Sequence, residues 1–216
     1  MKRLKVLFID WNNTLSISRF WEQLESPTHA LHHIRAPVAE SLFSKQAPLK
    51  HLLLPWMRVE YVTEQIVQRV ADHTKIDYLT LLTEFILSCE HMRFVSEEVP
   101  DLITKIRNKG VKVVIATDNM DSFDRWTAPA MKIHKLFDEI LNSHALKGVK
   151  TDKDSRGKSV FFDQFLQKHN LKFGESVLID DSSNGIEDIN GFGIGYKQIE
   201  AGLGLVPALQ TIYQTL

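Results

Sequence analysis

Cysteine is almost missing from this 216-residue chain: Cys89 stands alone. A single cysteine excludes an intramolecular disulfide and fits a reducing compartment. Its setting, Leu81-Leu82-Thr83-Glu84-Phe85-Ile86-Leu87-Ser88-Cys89, places it on a helical face with Leu82, Phe85 and Ile86, as a small core residue. Long apolar runs are also absent, and none approaches the ~18 residues of a membrane span. Met1-Lys2-Arg3-Leu4 leads straight into a six-residue apolar strand, too short for a secretory leader with its cleavage site, so a cytoplasmic location is expected. Charge of either sign is not in excess. Twenty-six basic side chains against 27 acidic ones leave a net charge of −1, which gives no global field for nucleic acid or an anionic membrane. Neither is expected as a partner, and any anion must be bound by a local site. Internal repeats and low-complexity tracts are lacking as well.

What is present is ordinary for a globular protein: 44% hydrophobic and 25% charged residues, enough for one large domain or a core with an insertion. Three zones follow from the pattern. The first is a buried strand over Leu4–Ile9 and the polar loop after it. The second, residues 18–94, reads as helical. Val59, Val62, Ile66 and Val70 share one face, and Pro27, Pro37, Pro48 and Pro55 break the first half into short helices and turns. The third, residues 95–216, alternates helix and strand. A helix opens near Ser96, carries Leu102, Ile103 and Ile106, and stops at Gly110. Strands are expected at Val111–Ala116, Glu139–Asn142, Val177–Ile179 and Ile194–Tyr196. Helices are expected around Phe123–Ile133, around Phe161–Leu166 and at the C-terminus.

Near-continuous apolar strands alternating with helices predict an α/β fold, a Rossmann-like parallel sheet with helices on both faces. Ligands of such sheets bind beyond the carboxyl ends of the strands. Three strand ends here carry polar residues: Asp10, then Thr117-Asp118-Asn119, then Asp180-Asp181. Asp10 with the Asp180-Asp181 pair supplies the hard oxygen ligands that Mg²⁺ takes. A carboxylate can also attack phosphorus, provided the phosphate charge is masked.

The sequence Val6-Leu7-Phe8-Ile9-Asp10-Trp11-Asn12-Asn13-Thr14-Leu15 closely resembles the first motif, Asp-x-Asp-x-Thr, of the haloacid dehalogenase (HAD) superfamily. Three further motifs follow in order: Thr117 at a strand end, Lys158 ahead of an amphipathic helix, and Asp180-Asp181-Ser182-Ser183-Asn184-Gly185-Ile186. The resemblance implies a HAD core over 1–17 and 95–216, with a helical cap over 18–94 inserted between the first and second motifs. It also implies an Mg²⁺-dependent hydrolase, a phosphatase acting on a small phosphorylated metabolite through an aspartyl-phosphate. Asp10 would be the nucleophile. Asp10, the Asn12 carbonyl and Asp181 would hold Mg²⁺, with Asp180 as a further ligand or behind it. Thr117 and Lys158, with Asp118 and Asn119, would bind substrate. Among the basic residues of the 147–158 loop Lys158 matches best, with Lys150 and Lys153 as the alternatives.

One position departs from the family pattern. The second aspartate of the first motif, the usual acid/base, is Asn12 here. Asparagine cannot titrate, so it neither protonates a leaving group nor activates water. That predicts slow turnover, or turnover limited to good leaving groups. The alternative is a phosphate- or metabolite-binding pseudoenzyme or regulatory module. Asn13 stands where glycine is common and is read as a backbone choice, because asparagine tolerates positive φ. Nine histidines are present, with His29, His32 and His33 close together, but no Cys/His set completes a metal site. Trp21 and Trp56 are read as packing residues of the cap. Oligomeric state is open.

Overall fold

The computed structural model describes residues 3–216, and its centre is a five-stranded parallel sheet. The strands are β1 (Val6–Ile9), β2 (Lys112–Thr117), β3 (Glu139–Asn142), β4 (Ser176–Asp180) and β5 (Gly195–Gln198), in the order β3-β2-β1-β4-β5. β1 is central and apolar throughout, as a strand covered on both faces must be, and all four of its side chains are buried. Alternate residues feed two cores. Leu7, Ile9, Val113 and Ile115 pack on the helices Val99–Asn108 and Leu205–Thr215. Phe8, Val114 and Leu178 pack on Phe161, Phe162 and Phe165 on the other face.

The register fixes the upper edge. Ile9 pairs with Ile115 on one side and Ile179 on the other, so the chain leaves β1, β2 and β4 at nearly one level. The strands lie within a residue or two of their expected places, and Glu139–Asn142 coincides with its expected span. The helix expected around Phe123–Ile133 is instead broken. A π-turn at Phe123–Thr127 and a short helix at Ala128–Ala130 are followed by Lys132 at φ 53 and the turn Ile133–Leu136. Ser96 does not cap the Val99–Asn108 helix directly; its hydroxyl accepts the N–H of Glu98, the residue just before the helix, at 3.1 Å. No helix among the described residues is long and apolar enough to cross a membrane.

Residues 18–94 are helical, with short pieces first: Arg35–Leu42 and Leu53–Met57 precede Thr63–Thr74 and Tyr78–Glu90. Their shared core holds Trp21, Trp56, Ile66, Val70 and Phe85, closed from the sheet side by Met120 and Trp126. Both tryptophans are buried there, as packing residues. Val59 is not part of the helical face assigned to it. It stands at φ 69, 39% exposed, and the helix begins only at Thr63. Its start is set by two acceptors: Gln65 Oε1 takes the Val62 N–H at 3.0 Å, and Asp121 takes the Thr63 N–H. Cys89 is fully buried, facing inward with Leu81 and Phe85, while Leu82 and Ile86 are only half-buried. Burial pushes its thiol up to about 12, the state of an inert core cysteine. His29 faces Glu84 at 3.5 Å and His32 Nδ1 meets the Leu24 carbonyl at 2.8 Å, so these histidines are spent on local contacts.

Candidate active site

Asp10 leaves β1 where the sheet ends. Its N–H donates to the Ile179 carbonyl at 2.9 Å and its own carbonyl accepts from Leu15 at 3.2 Å, closing a tight loop. That loop needs a left-handed residue, and Asn13 supplies it at φ 56. Thr14 is buried, and its hydroxyl accepts the Asp181 N–H at 3.1 Å, tying the loop after β1 to the loop after β4. Asn12 bridges to Ser16 through its backbone, and its side chain is exposed.

Carboxylate oxygens of Asp10, Asp180 and Asp181 lie within 4.8 Å of one another. Between the first two sits an ammonium. Lys150 Nζ donates to Asp10 Oδ1 at 2.8 Å and to Asp180 Oδ2 at 2.5 Å, and all three side chains are at most 10% exposed. The Lys150 backbone N–H donates to Asp118 Oδ1 at 2.9 Å. Four carboxylates thus surround one cation, and a buried excess of this kind calls for a further positive charge. Burial, set against the pull of Lys150 and helped by the charge of Asp180, pushes the Asp10 carboxyl up to about 7. Burial also raises Asp118, and burial together with Asp180 raises Asp181. For Lys150 the desolvation would lower its pKa, but Asp10, Asp118 and Asp180 outweigh it and hold the amine protonated.

Lys158 does not reach this cluster. It is exposed, with Nζ 4.0 Å from Asp163, and its backbone N–H only closes the Asp154 turn at 2.9 Å. The lysine beside Asp10 is Lys150, one of the two alternatives to Lys158 in the loop. The physical reason lies in the flanks. Lys150 follows buried Gly148 and Val149, whereas Lys158 closes the charged run Lys153-Asp154-Ser155-Arg156, which folds on itself in water. Lys153 pairs with Asp188 at the surface.

Thr117, at the end of β2, is fully buried, and its hydroxyl has no hydrogen-bond partner among the described residues. A buried hydroxyl left unpaired costs roughly 1–3 kcal/mol, so it stands ready for an acceptor. Asn119 is turned away from the cluster. Its side-chain oxygen accepts the Met120 N–H at 2.9 Å, and its backbone exchanges two bonds with Ser143 Oγ at 3.0 Å each, which fixes the loop. A cavity of about 290 Å³ opens against Lys150 and Asp180, lined also by Asp118, Asn184, Gly185 and Tyr196. Tyr196 donates to the Ser182 carbonyl at 2.7 Å and so braces the loop after Asp181.

Two residues near the edge carry no motif or period that marks them in the sequence. Asp121 accepts from Trp56 Nε1 at 2.8 Å, from the Thr63 hydroxyl at 2.8 Å and from Arg125 at 2.8 Å. Arg58 donates to Asp152 at 2.6 Å. Both bring residues 56–63 down onto the loops that carry the polar cluster. The contacts of Trp56 and Thr63 with Asp121, and of Arg58 with Asp152, join residues 58 or more apart in sequence, beyond the reach of any local period.

No curated protein matches this chain by sequence. Solved structures do resemble it. A HAD family enzyme from Bacteroides thetaiotaomicron superposes with a TM-score of 0.69 at 15% identity, covering 93% of this chain and 96% of that one. The same enzyme has been solved with magnesium and inorganic phosphate, in a form that superposes with a TM-score of 0.64 at 16% identity over 92% and 96% of the two chains. A HAD-like family hydrolase from Porphyromonas gingivalis gives 0.67 at 14% identity over 97% of each chain. At these identities the likeness establishes the fold. Membership rests on the sequence itself: the family of haloacid dehalogenase-like hydrolases matches residues 4–193, nearly the whole chain, and the protein belongs to that family.

Proposed function

We propose that the protein is an Mg²⁺-dependent phosphatase acting on a small phosphorylated metabolite, with Asp10 as nucleophile. The observation that carries this reading is the pairing of a buried ammonium, Lys150, held between Asp10 and Asp180, with the orphaned hydroxyl of Thr117. Together they offer a carboxylate to attack phosphorus and two donors for its oxygens. The carboxylates of Asp10, Asp180 and Asp181 form an all-oxygen donor set of the kind magnesium takes, and in this reading the Asn12 carbonyl would join them. The magnesium and phosphate bound by the Bacteroides enzyme support the same assignment here. A bound Mg²⁺ supplies charge neutralisation at the phosphoryl oxygens. Asp10 Oδ2 is free of the Lys150 bond that engages Oδ1. Its attack forms the Asp10–phosphorus bond as the ester oxygen departs, and water then hydrolyses the acyl phosphate.

In this reading residues 18–94 are a cap over the site, and 1–17 with 95–216 are the core. Lys150 takes the phosphate-binding role that the sequence motif assigned to Lys158, and Asp118 orients Lys150 through its backbone. A buried free thiol fits the reducing cytoplasm. Asn12 can neither give nor take the proton, so the leaving group is protonated by water or leaves unprotonated. Slow turnover biased to aryl or acyl phosphates follows.

Asn12 also favours a second reading, a phosphate-binding protein without turnover. One experiment separates the two: wild type, Asn12→Asp and Asp10→Asn assayed on an aryl phosphate with Mg²⁺. We expect wild type to be active and Asp10→Asn to lose on the order of 10⁴-fold or more in kcat. We expect Asn12→Asp to gain on the order of 10²–10⁴-fold on substrates with poor leaving groups. A silent wild type with an active Asn12→Asp variant selects the binding protein. Activity indifferent to Asp10 removes the nucleophile assignment.

A further inference from the structure

The turn that carries Lys150 is built around Asp152. The Asp152 N–H donates to the Val149 carbonyl at 2.9 Å, Oδ2 accepts the Val149 N–H at 3.0 Å, and its carbonyl accepts the Val160 N–H at 3.0 Å. These bonds fix the backbone on both sides of Lys150, whose own N–H is pinned to Asp118. One oxygen of Asp152 remains, Oδ1, and it accepts from Arg58 at 2.6 Å.

Arg58 ends the helix Leu53–Met57 and is 94 residues from its partner. Its placement carries two costs. Its Nε is buried with no acceptor among the described residues, and the next residue, Val59, stands at φ 69. A β-branched residue in the left-handed region is strained, and such strain gathers at clamps and switches. The ion pair itself is half-exposed, 35% and 28%, so it adds little to stability. An arrangement costly in strain and weak in stability is better explained by what it positions.

We propose that Arg58 is a positioning residue for Lys150. With the helical segment seated, the guanidinium holds Asp152, Asp152 holds the turn, and the turn sets the ammonium between Asp10 and Asp180. The segment is fastened on the other side of Arg58 as well, by Trp56 and Thr63 on Asp121. Seating of residues 18–94 and readiness of the phosphate-binding lysine therefore become one event. Only the kinetic arm of the test rests on the phosphatase reading.

The first arm needs no activity. Full-length protein is pulsed with acetic anhydride, and acetylation of Lys150 is followed by mass spectrometry, with exposed Lys158 as internal reference. We expect Lys150 to be protected in wild type and to react about tenfold faster in Arg58→Ala and in the isosteric Asp152→Asn, as local opening exposes it. Arg58→Lys should restore much of the protection. The second arm compares kinetics on an aryl phosphate. Arg58→Ala should lower kcat by 10- to 100-fold, as a misplacement near 1 Å does, with a smaller change in KM. In a Lys150→Ala background the same change should add almost nothing, because the two act in series. Unchanged Lys150 labelling in both variants, or additive losses in the double variant, would overturn the proposal. An inactive wild type would sink the phosphatase reading instead, and the labelling arm would still decide this one.

Discussion

Around Lys150 four carboxylates crowd one ammonium; around Phe85 four aromatic rings crowd a fifth. Phe85 lies 4.7 Å from Phe20, 4.9 Å from Trp21, 5.9 Å from Trp56 and 6.2 Å from Trp126, centroid to centroid. The first cluster is electrostatically costly and held by the sheet beneath it. The second is apolar and holds residues 18–94 together, with Trp126 reaching in from the sheet side. The difference separates two tasks. The sheet edge accepts buried like charges because rigid strands hold them there. The helical segment supplies packing, and it touches the edge through a few polar contacts, at Asp121 and Asp152.

Substitutions on the two sides should therefore fail differently. Phe85→Ala should cost about 3–5 kcal/mol of stability, read by denaturant unfolding, because it empties a fully buried ring site. A loss under about 1 kcal/mol would mean that the aromatic cluster repacks and is not the anchor described. Lys150→Ala should fold but lose on the order of 10²–10³-fold in kcat/KM on an aryl phosphate. Lys158→Ala, by contrast, should stay within about threefold, since an exposed pair contributes little. The reverse ranking would return the phosphate-binding role to Lys158. Between the two regions, Asp121→Ala leaves the Trp56 indole and the Thr63 N–H unpaired. It should cost roughly 1–3 kcal/mol for the buried donors it orphans. A variant as stable as wild type would show that the Asp121 contacts do not help to seat the helical segment.

The same contrast explains what could be read in the chain. The strands were legible because burial on both faces leaves uninterrupted apolar runs, as at Val113–Ala116. Asp10, Thr117 and Asp180 were legible because each sits at the end of such a run. Lys150 was harder, since a lysine in a loop has no period to mark it. The available signal was its apolar flank, Gly148-Val149, against the charged flank of Lys158. In residues 18–94 the prolines correctly indicated short pieces, and Pro37 and Pro55 lie within the first turns of two of them. Val59 misled because its spacing fits a helix while its backbone turns left-handed beside Arg58. Contacts such as Arg58 with Asp152 are set by the packing of two distant segments, and no local pattern records them.

The smallest expected effect tests the charge excess itself. The Asp10 carboxyl is pushed up to about 7, by burial first, with Lys150 opposing and Asp180 adding to it. Asp118 and Asp181 shift in the same direction. Between about pH 4 and pH 7 the folded protein therefore keeps protons that the unfolded chain has released, so the stability of the metal-free protein falls as pH rises through that window. Lys150 stays protonated throughout and contributes no slope there. A cation at these carboxylates needs them ionised, so Mg²⁺ affinity should rise with pH, by at most about tenfold per unit for each proton displaced, and level off near 7. Calorimetric titration with Mg²⁺ at three pH values across the window reads this directly, and Asp10→Asn should flatten much of the slope. A wild-type affinity that is constant across the window would mean that Lys150 alone neutralises the edge. In that case the contrast between a strained edge and a relaxed helical core would no longer hold.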